Sequence, residues 1–355
     1  MSGPFSLMVP GGFEQVAYGY DAGTGLRVIV AIHSTVLGPG LGGTRFWPYP
    51  DEQAALIDVC RLARGMSYKH AAAGLGQGGG KAVIIGDPAA MRTDELVLAY
   101  GRFIEGLAGR YITAEDVGTT QADMDLLSTV TAHVAGISES KGGSGDPSPA
   151  TALGVLWAMK AIAERLWGSP SLAHRHVCID GVGKVGGSLA DHLHAEGARL
   201  SVADVRPAVT EAVARRTGAT IVPADRAHAV PCDIFSPCAL GGALSAETIP
   251  ALGAAAVVGS ANNQLATPED ADRIDASGVL YAPDYIVNAG GVINIAEEKH
   301  GYDRARADDR IRGIHDTVLR VLDLAAAEGI STAAAADLLA ERRIEASRMT
   351  ARAGH

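Results

Sequence analysis

One stretch constrains the fold of this chain more than any other. Val177-Cys178-Ile179-Asp180 reads as a short apolar strand, and Gly181-Val182-Gly183-Lys184-Val185-Gly186 follows it directly. From Val185 to about Glu196 the spacing is that of an amphipathic helix. A glycine pattern of this kind is weak alone, but between a strand and a helix it specifies a dinucleotide-binding turn. Gly181 permits the tight turn. Gly183 lets a pyrophosphate approach the backbone at the helix N-terminus, and Gly186 lets helix and strand pack closely. Val182, Lys184 and Val185 complete the expected cofactor-binding loop. A second strand, Leu200-Ser201-Val202-Ala203, ends at Asp204. A carboxylate there accepts hydrogen bonds from the ribose hydroxyls and repels a 2′-phosphate, so NAD is expected rather than NADP. Arg206 is a nearby cation that would tolerate a phosphate.

Around this turn, short apolar strands (176–180, 199–203, 234–236, 256–259) alternate with amphipathic helices, which implies a parallel sheet with crossover helices. The N-terminal part reads differently. Residues 26–33 form a strand pattern, interrupted by Gly38-Pro39-Gly40 and a Gly42-Gly43 turn. Residues 51–64 have helical spacing, with Ala55, Leu56, Val59, Leu62 and Ala63 on one face. A strand pattern follows Lys81 over 82–85. Thr93 can cap a helix reaching about Leu107, and residues 111–113 lead as a short strand into Ala114-Glu115-Asp116. The polar, glycine-rich stretch 139–147 reads as a hinge, and 151–167 as a long helix. Two Ala-rich helices are expected at about 305–328 and 333–348. The expected architecture is α/β in two domains. Residues 1–140 form a substrate-binding, catalytic and oligomerisation domain, joined by a tail at about 330–355. Residues 141–329 form a Rossmann-type NAD-binding domain.

The chain has 355 residues, 47% of them hydrophobic, and a formal net charge of -10. That charge, with no basic run, argues against a nucleic-acid partner, and the dinucleotide turn points to small-molecule partners instead. Cys60, Cys178, Cys232 and Cys238 lack metal-ligand spacing, so no metal is expected and the thiols read as reduced. Residues 1–10 lack the basic region and apolar core of a signal peptide, and no apolar run reaches the ~20 residues of a membrane span. The expectation is a cytoplasmic protein with no membrane partner.

Lys69 and Lys81 bracket the nearly apolar run Ala71-Ala72-Ala73-Gly74-Leu75-Gly76-Gln77-Gly78-Gly79-Gly80. Small flexible residues let backbone approach and shed water, so these lysines are candidate anchors or proton donors. The plainer alternative is a glycine-rich loop with two snorkelling lysines. In a dehydrogenase, Lys69 and the Gly42-Gly43 turn can hold a substrate carboxylate. The second lysine, Lys81, can exchange protons, and Asp116 can relay one. Asp116 can equally be an ordinary turn residue.

A set of ordered motifs then spans nearly the whole chain. They are Leu37-Gly38-Pro39-Gly40-Leu41-Gly42-Gly43-Thr44-Arg45, Met66-Ser67-Tyr68-Lys69 and Gly78-Gly79-Gly80-Lys81. Further along stand Thr113-Ala114-Glu115-Asp116-Val117-Gly118-Thr119-Thr120, Ser236-Pro237-Cys238-Ala239, Ala261-Asn262-Asn263-Gln264 and Pro283-Asp284-Tyr285-Ile286-Val287-Asn288-Ala289-Gly290-Gly291. On these the chain resembles the amino acid dehydrogenase superfamily of glutamate, leucine, valine and phenylalanine dehydrogenases, with the leucine/valine group the nearest in flavour.

The resemblance implies NAD-dependent, reversible oxidative deamination of an aliphatic L-amino acid to a 2-oxo acid and ammonia by a homo-oligomer. It implies that Lys69 binds the α-carboxylate, that Lys81 acts on the water that adds to the iminium, and that Asp116 takes a proton from the α-amino group. Thr151, Asn262 and Asn288 fall near the nicotinamide and substrate, and Cys238 and Ala239 at the cofactor. Glutamate-specific relatives carry a lysine where this chain has Leu41 and a serine near Ile295. Leu41, Ala114, Val292 and Ile295 would therefore line an apolar pocket. Two rivals stand beside this reading: an L-phenylalanine dehydrogenase and a non-catalytic NAD-binding sensor. A hydroxy-acid dehydrogenase would want a His/Arg pair in place of the two lysines.

Overall fold

The computed structural model describes residues 3–353. The chain divides into two compact units. The first takes the residues up to Asp146, then Ile295–Asp303 and the chain from Ala340 onward; the second takes Pro147–Asn294 and Arg304–Leu339.

The first unit is built on a five-stranded mixed sheet in the order β1-β2-β4-β3-β5. The strands are β1 (Gln15–Asp21), β2 (Leu26–Ser34), β3 (Gly40–Trp47), β4 (Gly78–Ile85) and β5 (Tyr111–Glu115). Strand alternation sorts the side chains onto two faces. Val28, Val30, Ile32, Phe46, Ala82, Ile84 and Tyr111 pack with Leu96, Tyr100 and Ile104 of the helix Asp94–Glu105. Ile29, Ala31, Val83 and Ile85 pack on the opposite face with Ala55, Leu56, Val59, Cys60 and Ala63 of the helix Glu52–Ala72. That helix starts where Asp51 accepts the Ala54 N–H at 2.7 Å, a side-chain cap for an otherwise orphaned donor.

Three features differ from the sequence reading. The 51–64 helix continues to Ala72 and carries Lys69 and His70 in its last turn. Gly42 and Gly43 lie within β3 rather than in a turn. Gly78, Gly79 and Gly80 are buried residues of β4, not a flexible loop. The reason is crowding: a Cβ on Gly42 would sit 2.0 Å from the Gly80 carbonyl oxygen, and one on Gly79 would sit 2.1 Å from Ser67 Oγ. Low strand propensity is overridden where only backbone fits.

The C-terminal helix, Thr332–Ala353, returns to the first unit, where Arg343 Nη1 donates to the carbonyls of Ala71 (2.6 Å) and Ala72 (2.8 Å). These are terminal carbonyls of the Glu52–Ala72 helix, whose partial negative charge suits a guanidinium.

The second unit contains six parallel strands: β6 (His176–Asp180), β7 (Arg199–Ala203), β8 (Thr220–Ile221), β9 (Cys232–Pro237), β10 (Ala254–Val257) and β11 (Leu280–Tyr281). Their order is β11-β10-β9-β6-β7-β8. Counted from β6 as the first, this is the 3-2-1-4-5-6 order of doubly wound dinucleotide-binding sheets. The two-residue strands β8 and β11 are too short to give a periodic signal. The helix expected at 305–328 is two helices, Arg304–Arg312 and Ile314–Glu328, separated at Gly313. No described helix is long and apolar enough to cross a membrane.

Candidate functional site

In the first unit, alternation along three strands brings polar groups onto the sheet face covered by the Glu52–Ala72 helix. Lys81 alternates with Ala82 and shares the face of Val83 and Ile85. Arg45 alternates with Thr44 and Phe46. Thr44 hydrogen-bonds Tyr100 and, at 2.6 Å, Thr113 on the far face. Register places Gly43 beside Ala114 and Thr44 beside Glu115, so Asp116 emerges next to Arg45. A Cβ on Gly43 would lie 2.4 Å from the Glu115 carbonyl oxygen and 2.8 Å from Asp116 Cβ. The missing side chain is what lets Asp116 settle against β3.

The resulting cluster is compact. Lys81 Nζ lies 2.7 Å from Asp116 Oδ2, with side-chain exposures of 9% and 20%. Arg45 Nε lies 3.4 Å from the same oxygen. Burial works to raise the Asp116 pKa. The charge and hydrogen bond of Lys81, then the charge of Arg45 and the Val117 N–H, outweigh it and hold the carboxyl below its ordinary value. Leu41 (3% exposed) and Ala114 (5%) are buried apolar residues of β3 and β5. Lys69 is half-buried in the last turn of its helix. The helix Gly290–Ala296 carries Val292 and Ile295, both half-buried and one turn apart.

In the second unit, Gly181 has φ +94°, a left-handed conformation open chiefly to glycine. Ala239 packs against it: a Cβ on Gly181 would lie 2.7 Å from the Ala239 nitrogen. Gly186 abuts Cys238 and the Gly181 carbonyl, where a Cβ would be 2.0 Å away. Gly183 is the N-cap of the helix Lys184–Ala195 and offers no side-chain cap, and a helix N-terminus of this kind favours an anionic ligand. The space beside Gly183 is open; a Cβ there would meet only Arg206 Nη2, at 3.5 Å. Such a loop fits a pyrophosphate.

Asp204 Oδ2 accepts the Val182 N–H at 3.1 Å, tying the acid to the loop. Arg206 clamps both carboxylate oxygens, Nε to Oδ1 at 2.9 Å and Nη2 to Oδ2 at 3.0 Å. The Arg206 hydrogen bonds hold Asp204 below the usual carboxylate range. Asp180, at the end of β6, goes the other way: burial, then the Asp204 charge, push it up to about 6. Asn288 Nδ2 donates to Asn262 Oδ1 at 2.8 Å and to the Ser260 carbonyl at 3.1 Å, while its buried Oδ1 finds no partner. An unpartnered buried amide oxygen is a candidate ligand contact. Thr151 Oγ1 donates to the Pro147 carbonyl at 3.0 Å and faces Gly291, whose Cβ would lie 2.7 Å from it.

The structure thus joins Lys81 with Asp116, Asp204 with the glycine loop, Cys238 and Ala239 with that loop, and Asn262 with Asn288. Sequence reasoning assigned no role to Arg45, Asp58, Tyr49 or Asp180. The two-residue step from Gly43 to Arg45 was the available signal for the first of these, once Gly42 and Gly43 are placed in a strand.

Residues 15–133 match the Glu/Leu/Phe/Val dehydrogenase dimerisation domain, and residues 142–213 and 200–349 match the Glutamate/Leucine/Phenylalanine/Valine dehydrogenase domain. The chain is 52% identical to leucine dehydrogenase from Geobacillus stearothermophilus over 344 residues, covering 97% of this chain and 94% of that one. It is 51% identical to valine dehydrogenase from Streptomyces albus over 341 residues, covering 95% and 94%. Among solved structures, L-tryptophan dehydrogenase from Nostoc punctiforme matches with a TM-score of 0.87 and 42% identity, covering 97% of this chain and 99% of that one. A parallel dinucleotide-type sheet, a buried lysine–carboxylate pair and this likeness over nearly the full length converge: the chain belongs to the Glu/Leu/Phe/Val dehydrogenase family and is an amino acid dehydrogenase, an enzyme of oxidative deamination.

Proposed function

We propose that this enzyme oxidatively deaminates branched-chain aliphatic L-amino acids with NAD as the hydride acceptor. The observation that carries the aliphatic preference is Leu41, which is 3% exposed on the sheet face of the Lys81–Asp116 pair. An unpaired substrate carboxylate beside such a residue would cost several kcal/mol, roughly 2–7 even for a neutral polar group. Burying a leucine side chain instead gains about 1.5–3 kcal/mol. The names of the leucine and valine relatives support the same choice.

In this reading Lys69 pairs with the substrate α-carboxylate. Asp116, ionised beside two cations, accepts a proton from the α-amino group. When bound, the dinucleotide supplies the acceptor for the Cα hydride. Lys81 in its amine form then takes a proton from the water that adds to the iminium carbon. Asp116 returns its proton to the amino nitrogen, and collapse of the carbinolamine releases ammonia as the hydroxyl proton passes back to Asp116. The lysine charges stabilise the carboxylate and the developing oxyanion. The loop 181–186 holds the pyrophosphate, with Asp204 on the ribose. That carboxylate is the ground for NAD over NADP, and Arg206 must exchange its bonds for the ribose to reach it. Thr151, Asn262 and Asn288 serve the nicotinamide and substrate. Residues 1–140 with the C-terminal tail act as the substrate-binding and oligomerisation part, and 141–329 as the NAD-binding part. The match to a dimerisation domain supports a homo-oligomer. Four free cysteines support a cytoplasmic location.

The test is NADH absorbance with each L-amino acid, using NAD and NADP in parallel. The highest kcat/KM is expected for leucine or valine, with a spread of ~10–200-fold among aliphatic side chains. Phenylalanine or tryptophan as the best substrate would overturn the pocket, and equal use of NADP would overturn the role of Asp204.

A further inference from the structure

Arg45 has a second set of partners. Its Nη1 donates to Asp58 Oδ2 at 2.9 Å. The Tyr49 hydroxyl donates to the same oxygen at 2.6 Å, and Arg61 Nη2 donates to Asp58 Oδ1 at 2.8 Å. Asp58 lies on the Glu52–Ala72 helix, and its side chain is 16% exposed against 24% for Arg45. The guanidinium is therefore gripped at one end by Asp58 and presents its Nε to Asp116 at the other. We propose that Arg45, fixed by Asp58 and Tyr49, is a positioning residue that orients the Asp116 carboxylate beside Lys81 and preserves its negative charge during turnover. This inference rests on the reading of Asp116 as the proton acceptor.

The need for such a residue follows from the geometry. Lys81 and Arg45 share one carboxylate oxygen. When Lys81 turns toward substrate or water, Asp116 loses its nearest cation. A largely buried carboxylate without a counter-charge takes up a proton and stops being a base. Arg45 cannot follow Lys81, because Asp58 holds its other nitrogen. A rigid, planar, always-charged fork suits this task, and a lysine cannot span both carboxylates in the same way. The groups facing Asp116 are Lys81 from β4, Arg45 from β3 and the Val117 N–H from its own segment, with Asp58 and Tyr49 behind Arg45. Arg45 Nε and Asp116 Oδ2 are both buried, and they meet as an ion pair at 3.4 Å rather than through an aligned hydrogen bond, so the guanidinium acts on this oxygen by its charge.

The experiment compares the pH dependence of kcat/KM in the full-length wild type, Arg45→Met, Arg45→Lys, Asp58→Asn and the Arg45→Met/Asp58→Asn double variant. The substrate is leucine or valine, whichever the wild type oxidises faster. Losing Arg45 removes a cation, so the acid limb of Arg45→Met should move up by about one pH unit, with KM for NAD unchanged. Arg45→Lys should keep the limb but lose several-fold in kcat. The double variant should be no worse than Arg45→Met alone, because Asp58 acts through Arg45. A wild-type acid limb in Arg45→Met, or additive losses in the double variant, would overturn the proposal. If Arg45→Met does not fold, wild-type kcat in Arg45→Lys overturns it instead. Failure of the underlying reading looks different: Asp116→Asn would then keep wild-type turnover.

Discussion

The β3–β4 strands around Lys81 and the turn at 181–186 are both glycine-rich, and they differ at one position, Gly183. In the strands the glycines are filled against. Backbone oxygen lies 2.0 Å from where a Gly42 Cβ would be, and Ser67 Oγ lies 2.1 Å from that of Gly79. In the turn, Gly183 faces open space with only Arg206 Nη2 at 3.5 Å. The first kind of glycine is required by the fold itself. Gly183, unlike Gly181 and Gly186 in the same turn, is not required by packing, so any demand for it comes from outside the fold. The charges differ in the same sense. Asp116 is held low by cations within the unit, whereas Asp180 is pushed up to about 6 by burial and by Asp204. One site is electrostatically complete; the other carries negative charge at the end of a strand beside the glycine turn. Positive helix-terminal N–H groups offset that charge where phosphates would sit.

Four experiments can break or sharpen this contrast. The largest effect belongs to Lys81. Lys81→Ala should lower kcat by about 10²–10⁴-fold, the usual contribution of a general acid–base group. Dinucleotide affinity, followed by fluorescence titration, should stay at the wild-type value. Retention of more than about a tenth of kcat would remove Lys81 from acid–base chemistry.

The glycines come next. Gly42→Ala should destabilise the protein by about 3 kcal/mol or more, because the backbone oxygen it meets cannot swing away. Gly183→Ala should leave thermal stability untouched and weaken dinucleotide binding. Equal melting temperatures for wild type and Gly42→Ala would refute the crowding argument, and unchanged NAD affinity in Gly183→Ala would refute the open-space one.

The third concerns pH, where the two regions have opposite signs. Asp180 binds its proton more tightly in the folded state, with a pKa raised to about 6. Its contribution to stability falls as pH rises from about 4, the unfolded value, and the cost is complete above about 6. Asp180→Asn should therefore stabilise the protein at pH 8 by on the order of 1–3 kcal/mol, and by little near pH 4. Asp116 is lowered instead, so its stabilisation is present above about pH 4 and is lost as pH falls through the folded value. Denaturant melts of Asp180→Asn and wild type at both pH values test this; a gain at acid pH and none at pH 8 would reverse the assigned sign.

The smallest effect is at Asp204. Asp204→Ala should weaken NAD about tenfold, the loss of a charge-assisted hydrogen bond of ~1.5 kcal/mol, and should narrow the gap to NADP. Because Arg206 now clamps Asp204, its release in this variant would help a 2′-phosphate. An unchanged NAD/NADP ratio would show that Asp204 does not read the ribose.

The turn was legible in the sequence because everything that defines it is local. Gly181, Gly183 and Gly186 follow a strand and open a helix, and Asp204 ends the next strand. The first unit was less legible for the same reason read backwards. Gly42, Gly43 and Gly78–Gly80 looked like turn and loop, since single residues carry no trace of the strand that will lie against them. Lys81 and Asp116 were visible as candidates, but their 2.7 Å contact and the reach of Arg45 depend on β3 lying between β4 and β5. By itself the sequence determined the parallel α/β second unit and the glycine turn that joins its first strand to a helix. Only the tertiary structure decided which cations share the Asp116 oxygen and why those glycines cannot be replaced. Pairing between distant strands sets side-chain neighbours through register, and register is a property of the assembled sheet rather than of any one segment.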